Sequence, residues 1–165
     1  MAGRFAPAQA LEIAETFSQH GVRYLFIGKS AAILMGYPAA TQDVDLFIPK
    51  DRANATRVIA ALEQIGFRIG EAQRQSILDC RDFIQLGDGP FDLDLISGPD
   101  GIETFAEAEQ RAVLIEGFPL TSIDDIIASK RAAGRERDVA DLPLLEAFRT
   151  ELRKNPPPLL KRPGR

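Results

Sequence analysis

Two aspartates one residue apart, Asp43 and Asp45 in DVDLFI (residues 43–48), are the side chains whose type and spacing first suggest chemistry. The segment alternates, so Val44, Leu46 and Ile48 face one way and Asp43, Asp45 and Phe47 the other. Carboxylates side by side among apolar neighbours repel each other, and burial adds a desolvation penalty. A divalent cation removes that penalty, and hard ions such as Mg²⁺ prefer oxygen ligands. Aspartates at i and i+2 can share two ions about 3.5–4 Å apart, the arrangement that clamps a phosphoryl group in transfer.

Such a pair needs elements to hold it. Upstream, the apolar run Tyr24–Ile27 predicts the end of a strand, and Gly28 a sharp turn. Ser30 to Met35 then suits a short helix, closed by Gly36 and Pro38. Gly28-Lys29-Ser30 matches the end of a Walker A motif, but that motif requires glycine where this chain has Arg23, and the intervening residues are strand-like. What is left is a turn into a helix N-terminus, whose free amides can hold a nucleotide phosphate. The Ser30 hydroxyl and the Lys29 ammonium stand beside it. Downstream, FDLDLIS (Phe91–Ser97) alternates as well, with Asp92, Asp94 and Ile96 on one face. Further on, Lys130, Arg131, Arg135 and Arg137 cluster at a helix break marked by Gly134, followed by Asp138 and Asp141.

Three segments in this order resemble the DNA polymerase β-type nucleotidyltransferase superfamily, in particular its small bacterial, minimal or toxin–antitoxin-like members. The segments are Tyr24–Ile48, with its Gly28 turn and Asp43-Val44-Asp45; Phe91–Ser97; and Ser122–Leu142. The resemblance implies that Asp43 and Asp45 hold two Mg²⁺ ions and that a third acid comes from Phe91–Ser97. Asp94 fits the family pattern best, and Asp92, on the same face, is its rival. It also implies that Gly28, Lys29, Ser30 and Lys130 contact the nucleotide. Lys130 would neutralise the leaving pyrophosphate, with Asp138 and Asp141 orienting the basic cluster. Two residues depart from the pattern: Lys29 stands where relatives carry Gly or Ser, and Ala39 where they often carry Arg.

Composition narrows the field. The chain has 165 residues and 45% apolar content, enough for one domain with a real core. No run reaches the roughly 20 apolar residues that span a bilayer. Cys80 and His20 are the only residues of their types, which excludes Cys/His zinc sites and allows no internal disulfide. A cytoplasmic setting follows as the expectation. Six of the 20 Lys and Arg lie in residues 149–165 beside a single acid, Glu151. The acidic remainder argues against broad duplex binding, while the basic end permits a local contact with RNA or an acidic partner.

The remaining pattern predicts helices over 8–20 (Leu11, Ala14 and Phe17 inward, Ile13 widening the stripe), 51–65, 104–109, 123–133 and 138–152. Strands are expected over 22–27, 43–48, 67–69, 82–86, 91–96 and 112–115, with 71–81 a loop or one helical turn. A basic, proline-rich end over 155–165 is expected to carry little fixed structure. The fold class is α/β: a mixed sheet flanked by helices with C-terminal helices, in a single domain over 1–154. The expected activity is transfer of an NMP from an NTP to a hydroxyl on a protein, a tRNA or a small molecule. A partner protein or a second copy would complete the acceptor side. A catalytically degenerate nucleotide-binding module of the same fold is the alternative.

Overall fold

Alternation in the strands and 3.6-residue periodicity in the helices set this architecture, which the computed structural model describes for residues 5–160. Along the chain it runs α1 (Pro7–Gln19), β1 (Leu25–Ile27), α2 (Gly28–Leu34), β2 (Asp43–Phe47), α3 (Arg52–Ile65), α4 (Glu71–Leu78), β3 (Phe83–Leu86), β4 (Asp92–Ile96), α5 (Phe105–Arg111), β5 (Val113–Ile115), β6 (Phe118–Leu120), α6 (Ile123–Ala133) and α7 (Glu136–Lys154). The six strands form one sheet in the order β3-β4-β2-β1-β6-β5. β2 runs parallel to β4 and β1 parallel to β6, while the other neighbours are antiparallel. The expected mixed α/β sheet with C-terminal helices is therefore present.

One face of the sheet, carrying Phe26, Val44, Leu46, Leu93 and Leu95, is sealed into the main core with Ala10, Ile13 and Phe17 of α1 and Val58, Ala61 and Leu62 of α3. The other face is apolar only in part. Leu25, Ile27 and Phe47 pack under Phe105 and Ala108 of α5. Beyond them the same face turns acidic, because β2 and β4 place Asp43, Asp45, Asp92 and Asp94 there. Burial of the apolar half, at about 25 cal/mol per Å², fixes the position of the acidic half.

Differences from the sequence reading have local causes. β1 begins at Leu25 instead of Val22, because the backbone of Arg23 is bonded to a side chain. Arg23 N donates to Asn54 Oδ1 (2.8 Å) and Asn54 Nδ2 donates to Arg23 O (3.0 Å). Asn54 is 1% exposed. Asn54→Ala would leave both backbone groups unsatisfied and is expected to cost about 2–3 kcal/mol in urea denaturation. In α1 the inward stripe is Ala10, Ile13 and Phe17, and Leu11 is 49% exposed. Residues 67–69 form no strand: Phe67 packs edge-on against Phe91, and only Arg68 N bonds the hairpin turn, at Asp88 O. Residues 71–78 are a full helix with one buried side chain, Ile77, which is why they show no apolar stripe. β6 was not expected, since Pro119 sits at its centre and removes a ladder donor. α7 begins two residues earlier than the periodicity suggests. His20 caps the C-terminus of α1, and its ring nitrogen Nε2 lies 2.7 Å from Gln64 Oε1.

Part of the proline-rich end, residues 158–160, pairs with the sheet. Proline carbonyls still accept hydrogen bonds, and Leu114 N donates to Pro158 O (2.9 Å). Leu160 N donates to Ala112 O (2.8 Å), and Leu159 pairs with Val113, so residues 158–160 line the edge of β5. Lys161, Arg162 and Arg165 of the basic end lie outside the described residues.

Candidate active site

At the end of β1 the chain must turn into α2 without a gap, and Gly28 does so at φ +66°. An added Cβ there would lie 2.6 Å from Asp45 Oδ2, so the turn packs directly onto the carboxylate. Ser30 closes the same corner. Its hydroxyl donates to Ile27 O (2.9 Å) and accepts from Asp45 N (3.1 Å), and the side chain is fully buried. That hydroxyl, expected to meet a ligand, is thus occupied within the fold. The first amides of α2, which have no intrahelical acceptor, are what this turn offers an anion.

The parallel pairing of β2 and β4 sets Asp45 opposite Asp94 and Asp43 opposite Asp92. All four carboxylates therefore share one face, and Asp94, not its rival Asp92, is the residue across from Asp45. Burial pushes the Asp45 carboxyl up to about 8, helped by the charge of Asp94, a hydrogen bond to Asp94 and the charge of Asp43; the nearby Lys130 pulls it back. Asp94 is raised too, chiefly by burial, with the hydrogen bond from Asp45 and the charge of Arg137 acting the other way. Asp45 thus keeps a proton and donates it to Asp94.

The basic groups come from three helices. Lys29 Nζ lies 3.5 Å from Asp141 Oδ2, and Lys130 Nζ lies 3.7 Å from the same oxygen. Lys130 also reaches Asp138 Oδ1 at 3.5 Å, and Arg135 Nε donates to Asp138 Oδ2 at 2.6 Å. Asp138 is 1% exposed and its carboxyl is held below the ordinary range by these cations, against the cost of burial. Arg131 leaves the cluster and pairs with Glu146. Asp138 and Asp141 accordingly contact the cations they were expected to orient. The bond between Lys29 and Asp141 has no signal in the sequence, since it joins helices more than a hundred residues apart.

Among the described residues, no three His, Cys, Asp or Glu side chains stand gathered as a finished metal cage. The donor set is nonetheless all oxygen, and the burial and like charge that raise the Asp45 and Asp94 carboxyls are what a hard cation relieves. In type, as an all-carboxylate set, these residues suit a Mg²⁺-class ion.

This sheet and its flanking helices match the fold of nucleotidyltransferase structures. A crystal structure of ANT(2")-Ia in complex with adenylyl-2"-tobramycin superposes with a TM-score of 0.56 at 18% identity, over 89% of this chain and 98% of that one. Lincomycin-bound lincosamide antibiotic adenylyltransferase LnuA gives 0.61 at 16%, over 88% and 99%. JHP933 from Helicobacter pylori gives 0.50 at 20%, over 89% and 70%. No protein-family model and no curated protein sequence matches the chain. Among the described residues no helix is long and apolar enough to cross a membrane.

Proposed function

We propose that this protein transfers a nucleoside monophosphate from an NTP to a hydroxyl acceptor. The observation that carries the proposal is the pairing of Asp45 with Asp94 on the acidic part of the sheet face, with the Gly28 turn packed against Asp45. Asp43, Asp45 and Asp94 would hold Mg²⁺, two ions in the full form of the proposal. The metal would neutralise phosphate charge and polarise the α-phosphoryl group. The acceptor oxygen bonds to the α-phosphorus as the bond to the β-phosphate oxygen breaks, and pyrophosphate leaves with that electron pair. Asp94 takes the hydroxyl proton. The amides at Gly28, Lys29 and Ser30 and the ammonium of Lys130 bind the phosphates and offset the charge on the departing pyrophosphate.

The likeness to LnuA and ANT(2")-Ia over nearly their whole chains favours a small polyhydroxylated acceptor over a protein or a tRNA. The macromolecular form of the proposal carries with it a partner chain, as in a toxin–antitoxin pair, or a second copy. A cytoplasmic setting accords with the single Cys80. Lys29, tied to Asp141 where relatives have a small residue, favours a second reading: a module that binds nucleotide without transferring it.

Incubation with Mg²⁺ and α-labelled ATP or GTP separates the two. Tobramycin, lincomycin, tRNA and total protein serve as acceptors. Label on an acceptor with release of pyrophosphate supports transfer. Nucleotide binding without transfer to any of the four supports the module, and absence of binding refutes both.

A further inference from the structure

We propose that Asp141 is a resident counter-ion: its carboxylate holds the place of a phosphate between Lys29 and Lys130 and is displaced when a nucleotide triphosphate binds. The proposal rests on reading this end of the sheet as the nucleotide site. Two ammonium groups from different helices, α2 and α6, converge on one oxygen of Asp141, at 3.5 and 3.7 Å. Charge-assisted hydrogen bonds run at about 2.7–2.9 Å, so neither contact is a tight one. Asp138, by contrast, is 2% exposed at its side chain and gripped by Arg135 at 2.6 Å. It lies 3.5 Å from Lys130 Nζ, so Lys130 keeps a buried acidic neighbour if Asp141 swings away.

Asp141 is 26% exposed, and besides the two lysines it faces Tyr37, whose phenol is pushed up by burial and then by the Asp141 charge. An anion held loosely by two cations is readily replaced by one of higher charge. The position matters because Lys130 is at the same time close enough to Asp45 to lower its carboxyl. A polyphosphate between the two lysines would therefore lie beside the acidic pair. Lys29, whose side chain a small residue could not replace, becomes one of two cations that read the phosphates.

Calorimetric titration of the full chain with inorganic tripolyphosphate, and separately with Mg²⁺–ATP and Mg²⁺–GTP, tests this. Asp141→Asn is expected to tighten tripolyphosphate binding roughly three- to tenfold, by removing the competing anion. Lys29→Met should weaken it comparably, and the Asp141→Asn gain should shrink in the Lys29→Met background. If Asp141 merely orients the lysines, Asp141→Asn weakens binding, and that result, or no change, overturns the proposal. Should Asp141→Asn fail to fold, Lys29→Met alone is decisive: unchanged tripolyphosphate affinity overturns it. Tightened tripolyphosphate binding with no ATP or GTP bound by any variant refutes the nucleotide reading but not the counter-ion. Nucleotide binding that Asp141→Asn leaves untouched does the reverse.

Discussion

Replacing Asp45 by asparagine is expected to abolish a pH dependence of stability that the wild-type chain shows in metal-free buffer. The folded protein holds a proton on Asp45 up to about pH 8, whereas an unfolded aspartate releases it near pH 4. Between those values the native state binds one proton more than the unfolded state. Stability is therefore fully present below about pH 4 and declines as the pH rises through about 8. Asp138 acts in the opposite sense: its depressed carboxyl contributes stability that is lost only as the pH falls below the ordinary carboxylate range. The metal-free protein should accordingly be most stable in mildly acidic buffer. Urea denaturation in EDTA at pH 5.5 and 8.5 measures the slope. At pH 8.5 Asp45→Asn should exceed wild type by about 2–4 kcal/mol, since a neutral amide removes the buried like-charge pair. Added Mg²⁺ should raise the wild-type melting temperature at pH 8.5 and leave Asp45→Asn where it is. Transfer activity should fall at least about 100-fold in the variant, the scale of losing a centre that stabilises transition-state charge. Parallel pH slopes for the two proteins would refute the shared proton.

Much of this site is legible in the chain because its parts are local. Strand alternation alone places Asp43 with Asp45, and Asp92 with Asp94, on single faces. Asp51 caps α3 through Asn54 N, and Ser122 caps α6 through Asp125 N, both within reach of sequence rules. What alternation does not give is register between strands about fifty residues apart. Whether Asp94 or Asp92 meets Asp45 depends on how β4 slides along β2, which the buried Val44, Leu46, Leu93 and Leu95 settle on the opposite face. Contacts made by long side chains between helices are less legible still. Nothing in Lys29 announces Asp141. The strand of Phe118–Leu120 escaped for a different reason: local propensity disfavours Pro119, and tertiary pairing with β1 and β5 overrides it. Ser30 shows the converse, a residue rightly placed at the corner whose hydroxyl bonds the fold.

Gly28→Ala is expected to damage the site more than the fold, and the comparison with Gly36→Ala isolates the reason. Both glycines have positive φ, +66° at Gly28 and +108° at Gly36, so alanine strains the backbone at either, by about 1–2 kcal/mol. At Gly36 nothing lies within 4 Å of an added Cβ, whereas at Gly28 it would sit 2.6 Å from Asp45 Oδ2. The Asp45 backbone is pinned by its bond to Ser30, so relief must come from rotation of the carboxylate. Rotation breaks the hydrogen bond to Asp94 and moves the acid from the place where a phosphoryl group must align. A displacement near 1 Å costs on the order of 100-fold in rate. Gly28→Ala should therefore lose transfer by about that factor and flatten the pH dependence of stability, as Asp45→Asn does. Gly36→Ala should lose only stability. Equal losses of activity in the two variants would mean that the turn matters for its backbone alone, and that the packing of Gly28 on Asp45 has no part in the chemistry.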